Sequence, residues 1–138
     1  MLCITLPVDD LQRTLNFYEA VFELVPEMTS AITPTAEHLA FELPSGLYLV
    51  TVLRGSFRDF TRLADTADAP ARTCECMLTY FATSRAEVDQ IIGRARQAGG
   101  SVANPPQQQV WGYAGYLVDP DGHLWEILCT LYEAPAPE

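Results

Sequence analysis

The 138-residue sequence predicts an α+β fold of two βαβββ modules. Three observations carry that expectation. Each half holds an amphipathic helical stripe between an alternating strand and further strand-like runs. The two halves can be laid on each other at a nearly constant register. The chain is also 49% hydrophobic, enough for one domain's core at this length.

In the first half, Ile4, Leu6 and Val8 alternate with Cys3, Thr5 and Pro7, the period of a strand. Asp9 and Asp10 can cap a helix whose apolar stripe is Leu11, Leu15, Tyr18, Val21 and Phe22. Three strands are expected next, at Glu23 to Met28, Glu37 to Leu43 and Leu47 to Leu53, the last two joined by the turn Pro44-Ser45-Gly46. This module spans residues 2–54. Residues 55–73 are polar and turn-rich and read as a linker, with a short helix near Ser56 to Leu63.

The order repeats in a second module over residues 74–130. A strand runs from Cys74 to Phe81, and Ser84-Arg85-Ala86-Glu87 is a capping box. Its helix places Val88, Ile91, Ile92 and Ala95 on one face and stops at Gly99-Gly100. Strands follow at Ser101 to Ala103, Val110 to Val118 and His123 to Thr130, the last two joined by Asp119-Pro120-Asp121-Gly122. An offset of 73 pairs Cys3 with Cys76, Val8 with Phe81, Leu15 with Val88 and Tyr18 with Ile91. An offset of 76 pairs Gly46 with Gly122 and Val50 with Glu126. Residues 131–138 read as a tail, either disordered or loosely docked.

Eighteen acidic residues against eight basic ones give a formal net charge of -10, the wrong sign for nucleic acid or an anionic membrane. The N-terminus lacks both a basic segment and a long apolar run, so a cytoplasmic location is expected. There Cys3, Cys74, Cys76 and Cys129 are expected as small buried hydrophobes without disulfides. No nucleophile elbow, phosphate loop or zinc-finger spacing occurs. Gly112 and Gly115, inside a strand-like run, point to close backbone approach.

The segment Trp111-Gly112-Tyr113-Ala114-Gly115-Tyr116-Leu117-Val118-Asp119-Pro120-Asp121-Gly122-His123-Leu124-Trp125-Glu126, with Leu6-Pro7-Val8-Asp9-Asp10 and Asn16-Phe17-Tyr18, resembles the glyoxalase, bleomycin-resistance and extradiol-dioxygenase (vicinal oxygen chelate) superfamily. The resemblance implies a cupped eight-stranded mixed sheet with helices outside and a cavity inside, often completed by a second subunit. A homodimer is therefore expected. Metal-dependent members use His, Glu or Gln at positions that here carry Cys3, Val50, Cys76 and Glu126. Val50 offers no lone pair, which breaks the four-ligand set. Cys3, Cys76 and Glu126 could still form a three-ligand, zinc-like site; alternatively, two small apolar side chains replaced ligands once the metal fell out of use. The second reading is preferred, so no cofactor is expected. His38 and His123 match no ligand position.

Strand parity places Glu126 inward together with Leu124 and Leu128, and the repeat adds Cys3, Thr5, Tyr48, Val50, Val52, Cys76, Leu78 and Tyr80. Trp111 and Tyr113 are further candidate aromatic walls, although Trp111 could equally be ordinary packing or a dimer contact. This apolar, aromatic lining suits a flat organic ligand. Glu126, the candidate catalytic residue, either meets a ligand cation or donor, transfers a proton, or is hydrogen-bonded to its neighbours. The leading expectation is a metal-free protein that binds a small organic ligand, sequestering an antibiotic or aromatic natural product. The alternatives are a glyoxalase-type lyase or isomerase, using a divalent metal or Glu126 as base, and a structural or partner-interaction domain.

Overall fold

The computed structural model describes residues 1–27 and 32–130. The chain divides into two compact units, Met1–Thr73 and Cys74–Glu138. The expected tail, 131–138, lies outside the described residues. Among those described, no helix is long and apolar enough to cross a membrane.

In the first unit, β1 (Leu2–Val8) runs parallel to β3 (Leu47–Leu53), and β2 (His38–Glu42) pairs antiparallel on the far side, giving the order β1-β3-β2. Helix α1 (Leu11–Phe22) starts where the Asp10 carboxylate accepts the Arg13 N–H at 3.0 Å. It buries Leu11, Thr14, Phe17, Tyr18 and Val21, and Tyr18 meets Phe41 of β2 with ring centroids 5.9 Å apart. The strand expected over Glu23 to Met28 reduces to a single bridge, Pro26 to Phe41, and Met28 lies outside the described residues. Proline has no N–H to give to a ladder, so pairing is confined to its neighbourhood. Helix α2 (Arg54–Leu63) occupies the start of the expected linker and buries none of its side chains.

In the second unit, β4 (Met77–Phe81), β5 (Ser101–Gln109), β6 (Gly112–Val118) and β7 (Leu124–Thr130) form a sheet of order β4-β7-β6-β5. Only the β4–β7 pair is parallel. Helix α3 (Arg85–Gln97) is capped by Ser84, whose hydroxyl accepts the Glu87 N–H at 3.1 Å. β5 is longer than the expected Ser101 to Ala103, because an edge strand tolerates Pro105 and Pro106 through two register shifts. β4 is shorter than expected, with Cys74 and Cys76 preceding it.

The β6–β7 turn is held by one carboxylate. Asp119, only 2% exposed, accepts the N–H groups of Asp121 and His123, each at 2.9 Å. Asp119→Ala leaves both donors in a buried turn without that partner and is expected to lower stability by about 2 kcal/mol, read as a fall in the urea midpoint at unchanged slope.

The internal repeat holds, but its register differs by one residue from the sequence expectation over the first strand and helix. The caps Asp10 and Ser84 stand 74 apart, as do the buried pairs Thr14 and Val88, Phe17 and Ile91, Tyr18 and Ile92, and Val21 and Ala95. A one-residue slip moves every strand side chain to the other face. Its consequence falls on the site.

Candidate functional site

One face of the four-stranded sheet packs on α3. A Cβ on Gly115 would lie 2.8 Å from Ile92 Cγ1, so Gly115 and its cross-strand partner Ile127 face the helix. Glu126 therefore points to the face opposite α3. The register sets Thr79, Glu126, Tyr116 and Asn104 side by side across all four strands, a single polar row. The rows flanking it are mostly apolar: Met77, Leu124 and Val118 on one side, Phe81, Leu128 and Ala114 on the other.

Glu126 is 6% exposed. Its Oε1 accepts from Thr79 Oγ1 at 3.1 Å; its Oε2 accepts from Trp111 Nε1 at 3.2 Å and from the Tyr116 hydroxyl at 2.5 Å. A carboxylate has about four acceptor positions. Three are filled by neutral donors, and the fourth, on Oε1, has no partner among the described residues. The Tyr116 phenol is pushed up to about 12 by burial first, then by its hydrogen bond to Glu126 and that group's charge. It thus stays an O–H donor at neutral pH.

Trp111 sits in the two-residue turn between β5 and β6 and is 48% exposed. Its N–H is committed to Glu126, so the indole is tethered while much of its surface stays open to solvent.

Several expected site residues are placed elsewhere. Leu78 and Tyr80 pair with Trp125 and Ile127 and so face the helix side, the direct result of the register slip; Thr79 takes the expected place beside Glu126. Tyr113 also faces α3: its hydroxyl donates to Asp89 Oδ1 at 2.6 Å, and the Arg85 guanidinium lies 4.9 Å from its ring centre. Cys76 precedes β4 and is exposed. Three residues of chain separate it from Thr79, up to about 10 Å of extended backbone. Trp111 and Glu126 do come together, by direct hydrogen bond.

In the first unit Cys3, Thr5, Tyr48 and Val50 share the face away from α1, with Cys3 paired to Tyr48 and Thr5 to Val50. Val52, His38, Ala40 and Glu42 join them. The Tyr48 hydroxyl reaches Glu27 Oε1 at 3.5 Å, and the charges of Glu27 and then Glu42 push its phenol up. The cysteine expectation is corrected: Cys3, Cys74 and Cys76 are exposed free thiols, and Cys129 is partly buried. Cys74 and Cys76 lie before β4, outside the sheet, so no strand packing covers them.

The residues at the expected ligand positions do not fit a metal. Of the expected positions Cys3, Val50, Cys76 and Glu126, Val50 offers only hydrocarbon, Cys76 lies before β4, and the Glu126 oxygens already accept three hydrogen bonds. Among the described residues no three His, Cys, Asp or Glu side chains group where they could hold an ion.

A three-stranded and a four-stranded unit, each with a helix after its first strand and its first and last strands paired in parallel, define a known class. The chain belongs to the glyoxalase/bleomycin resistance protein/dioxygenase superfamily, whose family model matches residues 2–127. A glyoxalase-related enzyme from Fulvimarina pelagi superposes with a TM-score of 0.78 at 27% identity, over 94% of this chain and 87% of that one. A glyoxalase/bleomycin resistance protein/dioxygenase from Nocardioides gives 0.68 at 25%, over 99% and 87%. A family enzyme from Burkholderia phytofirmans gives 0.77 at 17%, over 94% and 97%, a likeness of fold. No curated protein matches the chain in sequence.

Thr79 and Tyr116 were missing from the sequence-derived site. Tyr116 was readable in principle: pairing outward from the Asp119–His123 turn places 116 opposite 126. Thr79 was not, because the one-residue slip assigned its place to Leu78 and Tyr80.

Proposed function

We propose that the chain is a metal-free small-molecule-binding protein of this superfamily, with its ligand on the open face around Glu126 and Trp111. The observation that carries this reading is the carboxylate itself, saturated by Thr79, Trp111 and Tyr116 except at one acceptor position. Three fixed donors hold its oxygens in place, which suits recognition by a preset acceptor. The tethered, half-exposed indole supplies a stacking surface beside it. An aromatic natural product, including an antibiotic held by sequestration, has the matching chemistry.

The ligand pocket is completed by a second copy of the chain, so light scattering should give twice the chain's mass. The exposed thiols Cys3, Cys74 and Cys76 suit the reducing cytoplasm. A thermal-shift screen of aromatic natural products on chelator-treated protein tests the reading. A ligand at 100 times its Kd stabilises by about 2.7 kcal/mol, and the shift should shrink in Trp111→Ala. Shifts that require added divalent ions contradict it.

A further inference from the structure

The described charge pattern narrows the ligand class. The chain contains no lysine, and none of the seven described strands carries an arginine. In the second unit the cations are Arg85, Arg94 and Arg96, all on α3, which covers the face opposite Glu126. Arg85 is engaged there by Gln108 and Tyr113. In the first unit Arg54, Arg58 and Arg62 pair with Asp9, Asp68 and Asp59. Glu126 is thus a buried carboxylate whose sheet face carries no cationic side chain, and each of its donors is neutral. A buried anion gains most from a partner that brings the opposite charge together with an N–H.

The second observation is Trp111. Its indole is fixed by its bond to the same carboxylate and is 48% exposed. An exposed indole stacks an aromatic body, so an aryl ammonium can be held through its apolar part by the ring and through its charge by the carboxylate. The first unit's open face carries the same two chemistries separately, Tyr48 beside Glu27 and Glu42.

We infer that the ligand is an aromatic cation, an arylalkyl ammonium or amidinium, donating a charged N–H to the open acceptor position on Glu126 Oε1 while its apolar body lies against Trp111. This rests on the binding-protein reading and adds the sign of the charge. Thr79 and Tyr116 act as positioning residues: they hold the two oxygens so that the open lone pair faces the ligand. The apolar rows on either side, Met77, Leu124 and Val118 and then Phe81, Leu128 and Ala114, receive the hydrocarbon part.

The test uses three probes of one shape: 2-(1-naphthyl)ethylammonium, 2-(1-naphthyl)ethanol and 1-naphthylacetate. Binding to the full chain is measured by calorimetry at neutral pH and two salt concentrations. The ammonium should bind about tenfold tighter than the alcohol, with the acetate weakest, and the margin should narrow in Glu126→Gln. Trp111→Leu, which keeps the carboxylate, should weaken the ammonium and the alcohol alike; it is the second variant should Glu126→Gln fail to fold. Equal binding of ammonium and alcohol, or a preference that survives Glu126→Gln, overturns the charge assignment while leaving a binding site. Failure of the ammonium to bind at all overturns it too. Metal at one equivalent per chain, by contrast, sinks the underlying reading.

Discussion

Gly112→Ala is expected to be the most damaging single-atom change near the site, lowering stability by about 3 kcal/mol. Gly112 has φ +149°, a conformation that side-chain-bearing residues rarely adopt. A Cβ there would also lie 2.4 Å from the Cys129 carbonyl oxygen and 2.9 Å from Leu128 Cδ1. The carbonyl belongs to the β7 backbone and cannot swing aside, so β6 must shift. Trp111 precedes Gly112, and any such shift draws its indole away from Glu126. Urea unfolding should show the lost stability, and tryptophan fluorescence a change in emission. A variant as stable as the wild type would mean that β6 and β7 do not approach this closely.

Tyr116→Phe is expected to cost about 2 kcal/mol, because it removes a donor from a buried carboxylate without adding another. It should also change the alkaline limb of stability. The Tyr116 phenol titrates at about 12 in the folded chain, above the ordinary tyrosine value near 10. A raised folded value favours the protonated folded state. Its contribution is therefore fully present below about pH 10 and is lost as pH rises toward 12. Wild-type stability should fall through this window, and the fall should be smaller in Tyr116→Phe. Identical slopes in the two proteins would place Tyr116 outside the Glu126 cluster.

The strand and helix order was legible because apolar spacing, caps and turns all agreed. β3 was read to its ends, and the Asp-Pro-Asp-Gly turn sits where expected. The register of the first strand and helix was not legible from apolar pattern alone. The buried counterpart of Val88 is Thr14, not the more apolar Leu15. Thr14 can be buried because its hydroxyl donates to the Asp10 carbonyl at 2.9 Å, a bond within its own helix turn that no hydropathy pattern registers. Taking Leu15 for Thr14 shifted the repeat by one, and the shift carried Leu78 and Tyr80 into a site that holds Thr79. Glu126 and Trp111 both belong to the second module, so their placement does not pass through the repeat. Their direct bond was not foreseen, since the reach of an indole across a hairpin depends on the turn's geometry.

The polar row also explains why one unit differs from the other. Val50 stands where Glu126 stands, and Thr5 where Thr79 stands, so only the second unit carries a carboxylate at that position.

The most direct test of the metal-free reading is elemental analysis of protein purified without chelator or metal-affinity resin, wild type beside Glu126→Ala, before and after incubation with excess zinc, manganese, nickel and iron. The structure predicts far less than one equivalent of any metal in both proteins, with no ion-dependent gain in stability. About one equivalent per chain in the wild type, lost in Glu126→Ala, would contradict it and point to metal-assisted lyase or isomerase chemistry.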